Sequence, residues 1–101
     1  MSSDESLDCA LQAIADPTRR RIMQALKEGA VAAKRAGKPG ACLCAGDIEA
    51  RIQLTQPTIS HHMAILTKAG LVEATKQGQW RWYRRNEKAI RQLVRVLRGK
   101  L

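Results

Sequence analysis

The stretch LTQPTISHHMAILTKAGLV, residues 54–72, sets Ile59, Met63 and Leu66 at i, i+4 and i+7, one stripe of an α-helix. Thr55 stands where an N-cap oxygen is needed, Pro57 suits the first turn, and Gly70 supplies a stop. Ser60, His61, Ala64 and Lys68 fall away from the apolar stripe, so the spacing predicts a helix with a polar side turned outward. Between Thr55 and His62 that side gathers hydroxyls, an amide and two imidazoles. Such groups suit a catalytic site, a metal site or a contact surface.

Upstream, in GDIEARIQL, Ile48, Ala50, Ile52 and Leu54 alternate as in a strand, while Ile48 and Ile52 also fit a short helix. A capped helix following through the QLT connection decides for the helix, giving a helix-turn-helix over 47–69. Downstream, LVEAT and WRWYRR are β-prone runs separated by KQGQ, whose Gly78 can take the positive φ of a tight hairpin. This is a two-stranded wing over 71–85. Trp80 and Trp82 share one face of its second strand and are expected to pack on the helices. Over 86–101, Ile90, Leu93, Val94, Leu97 and Leu101 form a long apolar stripe with arginines on the other side. Its cover is either its own domain or, together with the first helix, a second copy of the chain.

Toward the N-terminus, Leu7, Leu11 and Ile14, with Ala10 beside them, predict an amphipathic helix from Glu5 to Ala15. Asp16 and Pro17 then end it and start another, an N-cap followed by a first-turn proline. This second helix is expected to reach about Lys27, with Ile22 and Leu26 inward and Arg20, Arg21, Gln24 and Lys27 outward. Residues 28–41, EGAVAAKRAGKPGA, hold three glycines, a proline and a basic cluster. They read as a flexible loop, although AVAAKRA can add a helical turn.

At 101 residues the chain is one small domain. Trp80, Trp82 and Tyr83 are its only aromatics and Phe is absent, so the core must come from Leu, Ile, Val, Ala and Met. A lean core favours helices and dimerisation. Lys and Arg number 18 against nine acids, a net charge of +9 with a pI near 10.2, which suits a polyanion such as nucleic acid. The charge concentrates at Arg19-Arg20-Arg21 and in the series Arg81, Arg84, Arg85, Lys88, Arg91, Arg95 and Arg98. No run approaches the ~20 apolar residues of a membrane span, and MSSDESLDCALQ lacks the basic start of a signal peptide. A cytoplasmic protein with no membrane partner is expected. His61 and His62 point about 100° apart on a helix and cannot readily hold one ion. His62, beside Met63, reads as a packed, hydrogen-bonded histidine. No acid-oriented His–Ser pair accompanies them, so an enzyme is not expected.

Helix, helix, loop, helix-turn-helix, hairpin, helix is the order of a winged helix, mainly α with a small β-hairpin. The chain resembles the ArsR/SmtB family of arsenic- and metal-responsive repressors over nearly its whole length. The resemblance is carried by IADPTRRRIMQAL in the second helix, LTQPTISHHMAILTKAGLV in the recognition region and GQWRWYR in the wing. It implies a homodimeric transcriptional repressor on double-stranded, pseudo-palindromic operator DNA, with one recognition helix per subunit in successive major grooves. The chemistry agrees with that independently. The Gln56 amide can bridge adenine N6 and N7, the Thr58 and Ser60 hydroxyls can reach base edges or phosphates, and His61 can donate to either. Gln56, Ser60 and His61 match positions that contact DNA in the family; Thr58 is added on its chemistry and equally suits local capping. In the wing Lys76, Gln79 and Arg81 are the phosphate or minor-groove candidates, although family members often carry an apolar residue where Arg81 stands.

Cys9, Cys42 and Cys44 are an odd number, so free thiols or ligands are expected rather than a disulfide framework. Arsenic-responsive members of the family place a Cys-x-Cys pair directly before Asp-Leu at the start of the helix preceding the recognition helix. Here Ala45 and Gly46 separate Cys42-Leu43-Cys44 from Asp47-Ile48. Aligned without a gap, Cys44 takes the first family position and Gly46 the second, which moves the site upstream. In an extended segment both thiolates can reach one soft ion, and As(III) or Sb(III), the expected inducer, takes a third, for which Cys9 is available. Oxidation or reactive sulfur at Cys42 and Cys44 is the rival signal, and Cys9 as an idle thiol the rival role. No cofactor is required for DNA binding. The last helix has no His and no Asp, against a zinc-type site there. A small basic RNA-binding winged helix is the alternative of another class.

Overall fold

The computed structural model describes residues 3–37 and 43–101. In chain order the elements are α1 (Ser3–Ala15), α2 (Pro17–Arg35), β1 (Leu43–Cys44), α3 (Ala45–Ile52), α4 (Gln56–Lys68), β2 (Val72–Gln77), β3 (Trp80–Arg85) and α5 (Glu87–Lys100). Helices α3 and α4 form the helix-turn-helix, and β2 and β3 the wing. The architecture is the expected one, mainly helical with a small antiparallel sheet.

Helix α4 buries the residues its periodicity predicts. Ile59, Met63 and Leu66 are at most 1% exposed and join Ile22, Ala25 and Leu26 of α2 and Ile48 and Ile52 of α3 in one core. Burial of each large aliphatic side chain contributes about 1.5–3 kcal/mol. The helix stops by a glycine cap. Gly70 has φ 79°, its N–H donates to the Thr67 carbonyl, and the next N–H, of Leu71, donates back to Leu66. That pair of bonds occupies carbonyls the helix end leaves unpaired. Leu71 is buried, and its own carbonyl accepts from Asn86 N–H, which ties the wing's exit to its entrance.

The start of α2 is also as expected. Asp16 caps it, its carboxylate accepting from Arg19 N–H at 2.9 Å, and Pro17 fills the first turn. The end is not. The helix continues to Arg35, so residues 28–35 of the expected loop are helical, and a turn occupies 36–37. Gly29, which suggested a break, serves close packing: a Cβ there would lie 3.1 Å from the Leu43 side chain.

Helix α1 turns a different face inward than predicted. Ala10 and Ala13 are buried while Leu11 is 36% exposed and Leu7 half-buried. The small alanines let α1 lie close to α2, and the larger leucines are left for another surface. Its C-terminal carbonyls are covered by α2: Arg19 donates to Gln12 at 3.1 Å and also to Ala13, and Arg20 donates to Ile14 and Ala15 at 2.6 and 2.9 Å. Two arginines of the first basic cluster thus act as caps, cations placed where the helix macrodipole is negative.

The sheet has three strands in the order β1-β3-β2, not the two expected, because Leu43 and Cys44 pair with Tyr83 and Trp82. The tryptophans lie on the opposite side of β3 from the one predicted. Tyr83, 4% exposed, faces the core; Trp82 is half-buried and Trp80 is 56% exposed. Strand parity explains the inversion, since 81, 83 and 85 share one face and 80, 82 and 84 the other. The second face also carries the Arg84–Glu73 ion pair, 2.7 Å between oppositely charged cross-strand partners.

Candidate nucleic-acid interface

The core stripe of α4 fixes what its other side shows. With Ile59, Met63 and Leu66 inside, Gln56, Thr58, Ser60 and His61 are all exposed. Thr55 is the N-cap by position, but its side chain accepts no backbone N–H of α4; its hydroxyl instead lies 3.0 Å from that of Thr58. Gln56 and Ser60 line a concavity whose opposite wall is the wing residues Gln79, Trp80 and Arg81. Glu49 of α3 adds a carboxylate acceptor to it.

The wing turn that aims those residues is the two-residue loop Gly78-Gln79, closed by the Gln77–Trp80 pair. Gly78 has φ 61° and Gln79 no positive φ, the pattern of a type II′ hairpin. Two strand positions from the tip, Lys76 and Arg81 face each other directly across the ladder, and both are exposed. Like charges so placed are destabilising. An anion lying against the hairpin relieves the repulsion. Lys76, Gln79 and Arg81 all lie within two strand positions of the wing turn, and Arg81 shares a concavity with Gln56 and Ser60.

His62 faces protein, as its place beside Met63 predicted. Its Nδ1 lies 3.2 Å from Arg19 Nη1, and its ring centroid 5.7 Å from that of His61. An arginine has only donors, so Nδ1 is the acceptor and the ring is neutral with its proton on Nε2. Burial lowers the pKa of His62 and the Arg19 cation lowers it further, while Asp16 works in the other direction. Asp16 itself is held below the usual carboxylate range by the Arg19 N–H it accepts. Arg19 thus joins three helices: the end of α1, the start of α2 and the inner side of α4.

Residues 14–75 match the family described as a helix-turn-helix domain. An uncharacterised helix-turn-helix transcriptional regulator of Methanocaldococcus jannaschii is 34% identical over 85% of this chain and 84% of its own length. The arsenical resistance operon repressor of Staphylococcus aureus is 30% identical over 94% of this chain and 80% of its own. The chain belongs to the ArsR family. In fold, the crystal structure of another ArsR family transcriptional regulator superposes with a TM-score of 0.75 over 96% of this chain and 87% of that one, at 22% identity.

ArsR proteins are DNA-binding transcriptional regulators and not a class of enzymes, so DNA is the partner that membership implies for this ArsR chain. Among the described residues no helix is long and apolar enough to cross a membrane. The two described cysteines of this ArsR chain are less open than expected. Cys44 is buried in β1 directly before α3, where its N–H donates to Asp47 Oδ2 at 3.2 Å and its Sγ lies 3.2 Å from the same oxygen. Cys9 is half-buried on α1, and Cys42 lies outside the described residues. Among the described residues no three His, Cys, Asp or Glu side chains are grouped to hold a metal ion. The contact with Asp47 spans three residues at the start of α3, and the pairing of β1 with β3 buries Cys44 in addition. Trp80, expected to pack on the helices, instead lines this concavity with Gln56 and Ser60.

Proposed function

We propose that this ArsR-family chain acts as a homodimeric repressor that reads operator DNA through Gln56, Ser60 and His61, grips it through Lys76, Gln79 and Arg81, and leaves it when a thiophilic species reacts at its cysteines. Arsenite or antimonite is the first candidate inducer. The observation that carries the DNA reading is the shared concavity of Gln56, Ser60 and Arg81, with the opposite side of α4 locked into the core. Thr58 adds a hydroxyl at the edge of that surface. The dimer is supported by α5, in which no residue is buried although Ile90, Leu93, Val94 and Leu97 share one side.

Cys44 supports the coupling. Its thiol sits at the N-terminus of α3, so a metal or oxidant that takes its sulfur removes the Asp47 contact and loosens the helix that braces α4. Release needs only a difference in DNA affinity between the two states, typically about 5–150-fold. Cys42 and Cys9 complete the thiolate set for As(III). Sensing of redox state or reactive sulfur through Cys42 and Cys44 uses the same element with a different signal.

A competition assay tests the first part: a duplex from the gene's own promoter should be preferred over bulk DNA and RNA by about 10³-fold or more. Equal affinity for RNA sinks the repressor assignment in favour of an RNA-binding winged helix. Titrating the bound complex with arsenite, antimonite, cadmium and polysulfide, for the parent and for Cys9→Ser, Cys42→Ser and Cys44→Ser, tests the second. If none of the four lowers affinity in the parent, the cysteines are not the sensor.

A further inference from the structure

We infer that Trp80 is a DNA-contacting residue of the wing, an apolar side chain that packs against deoxyribose in the minor groove while its cationic neighbours take the flanking phosphates. This rests on the operator-binding reading above. Trp80 is the first paired residue after the hairpin turn, 56% exposed, and it lines the same concavity as Gln56 and Ser60. An indole is the largest apolar surface a side chain offers, and a folded chain gains by covering it.

What covers it follows from its surroundings. Gln79 and Arg81 adjoin it in sequence and Lys76 faces Arg81 across the ladder. A second copy of the chain docking by this face about a two-fold axis would bring its own Lys76 and Arg81 against these, like charge on like. A duplex offers the reverse: phosphates for the two cations and, between them, apolar sugar edges for the ring. The indole N–H is a donor, and the minor-groove floor of an A·T pair offers only the acceptors adenine N3 and thymine O2. Wing contact of this kind is apolar at its centre and ionic at its rim, so the two parts answer differently to salt.

The chain has two tryptophans, so Trp82→Phe leaves Trp80 as the only indole. Titrated with promoter duplex, that variant should show a shifted emission and a several-fold loss of acrylamide quenching. In the otherwise intact chain, Trp80→Ala should weaken duplex binding roughly tenfold, the order of one lost aromatic contact, while the slope of log K against log salt stays unchanged. Arg81→Ala should lower that slope by about one. Circular dichroism and melting temperature of Trp80→Ala should match the parent, because an exposed side chain holds no core.

If the duplex binds at parental affinity while Trp80 remains as open to acrylamide as in free protein, the wing inference is overturned and the repressor reading survives. Parental affinity in Trp80→Ala overturns it equally. Protection that rises with protein concentration without DNA assigns Trp80 to a contact between copies instead. A parent chain that does not prefer its promoter duplex at all overturns the reading beneath.

Discussion

Helices α4 and α5 carry apolar residues at the same spacing and meet opposite fates. In α4, Ile59, Met63 and Leu66 are sealed in the core; in α5 no residue is buried, and Val94 is 53% exposed. Periodicity tells which residues share a side of a helix, and nothing about what lies over that side. α4 is covered by α1, α2, α3 and the wing of the same chain. α5 touches its own domain along one edge, where Ile90 and Leu93 lean on the core, and leaves the rest of its stripe open. Beside it, α1 leaves Leu11 exposed. Helix α4 is therefore fixed by the chain alone, whereas α5 keeps an open apolar side, which the proposed second subunit would cover.

Alanine in place of Met63 should bring out the first half of that contrast, costing about 2–5 kcal/mol in denaturant unfolding, by the same amount at every protein concentration. Leu97→Glu should bring out the second. It should weaken self-association at least tenfold in sedimentation equilibrium, and the parent's melting temperature should rise with concentration while the variant's does not. A Leu97→Glu chain that still associates like the parent would break the comparison, because α5 would then need no partner.

How much was legible follows the same division. The helix-turn-helix, the hairpin turn at Gly78, the Asp16 cap and the inward His62 were all readable, because each depends on neighbours within a few residues. The face of α1 was misjudged because Leu7 and Leu11 outweigh Ala10 and Ala13 by size, whereas close helix packing prefers the small residues. The tryptophans were turned the wrong way because β3 has aromatics on both faces, and only long-range pairing with Leu43 selects Tyr83 for the core. Arg19 and Arg20 were counted as charge for a polyanion, yet they cap α1. Of the DNA candidates, Gln56, Ser60 and Arg81 could be named from sequence, but their meeting in one concavity depends on how the wing packs.

Arg19 is where the two regions join, and removing it should sharpen the contrast. Arg19→Ala strips the carbonyls of Gln12 and Ala13 and the His62 ring of their donor, at a cost of about 1–3 kcal/mol in unfolding. The same joint sets a pH dependence. The folded chain holds the His62 pKa below its ordinary 6.5, so the unfolded chain takes up the proton first as pH falls. Stability from this histidine is present above pH 6.5 and is lost as pH drops below that value toward the lower folded pKa. Asp16 acts further down, its contribution being lost as pH falls below 3.8. Melting curves from pH 8 to 5 should show the first loss as a fall in melting temperature. His62→Gln should flatten it, and an unchanged step in that variant would assign the loss elsewhere.

The smallest expected effect lies in the turn between α3 and α4. Gln53 caps α3 with φ 62° and ψ 43°, its N–H donating to Glu49 at 2.8 Å, the sole residue other than glycine with positive φ among those described. A side chain in that conformation is strained by its Cβ, which glycine lacks. Gln53→Gly frees the strain but gives the unfolded chain more conformations, so the net gain is about 0.5–1 kcal/mol. Since the turn belongs to the self-sufficient half of the molecule, the gain should be the same in the parent and in Leu97→Glu, as for sites sharing no partner. A gain that vanishes in the Leu97→Glu background would mean that the partner subunit reaches the helix-turn-helix, and that the reading helix is not fixed by its own chain alone.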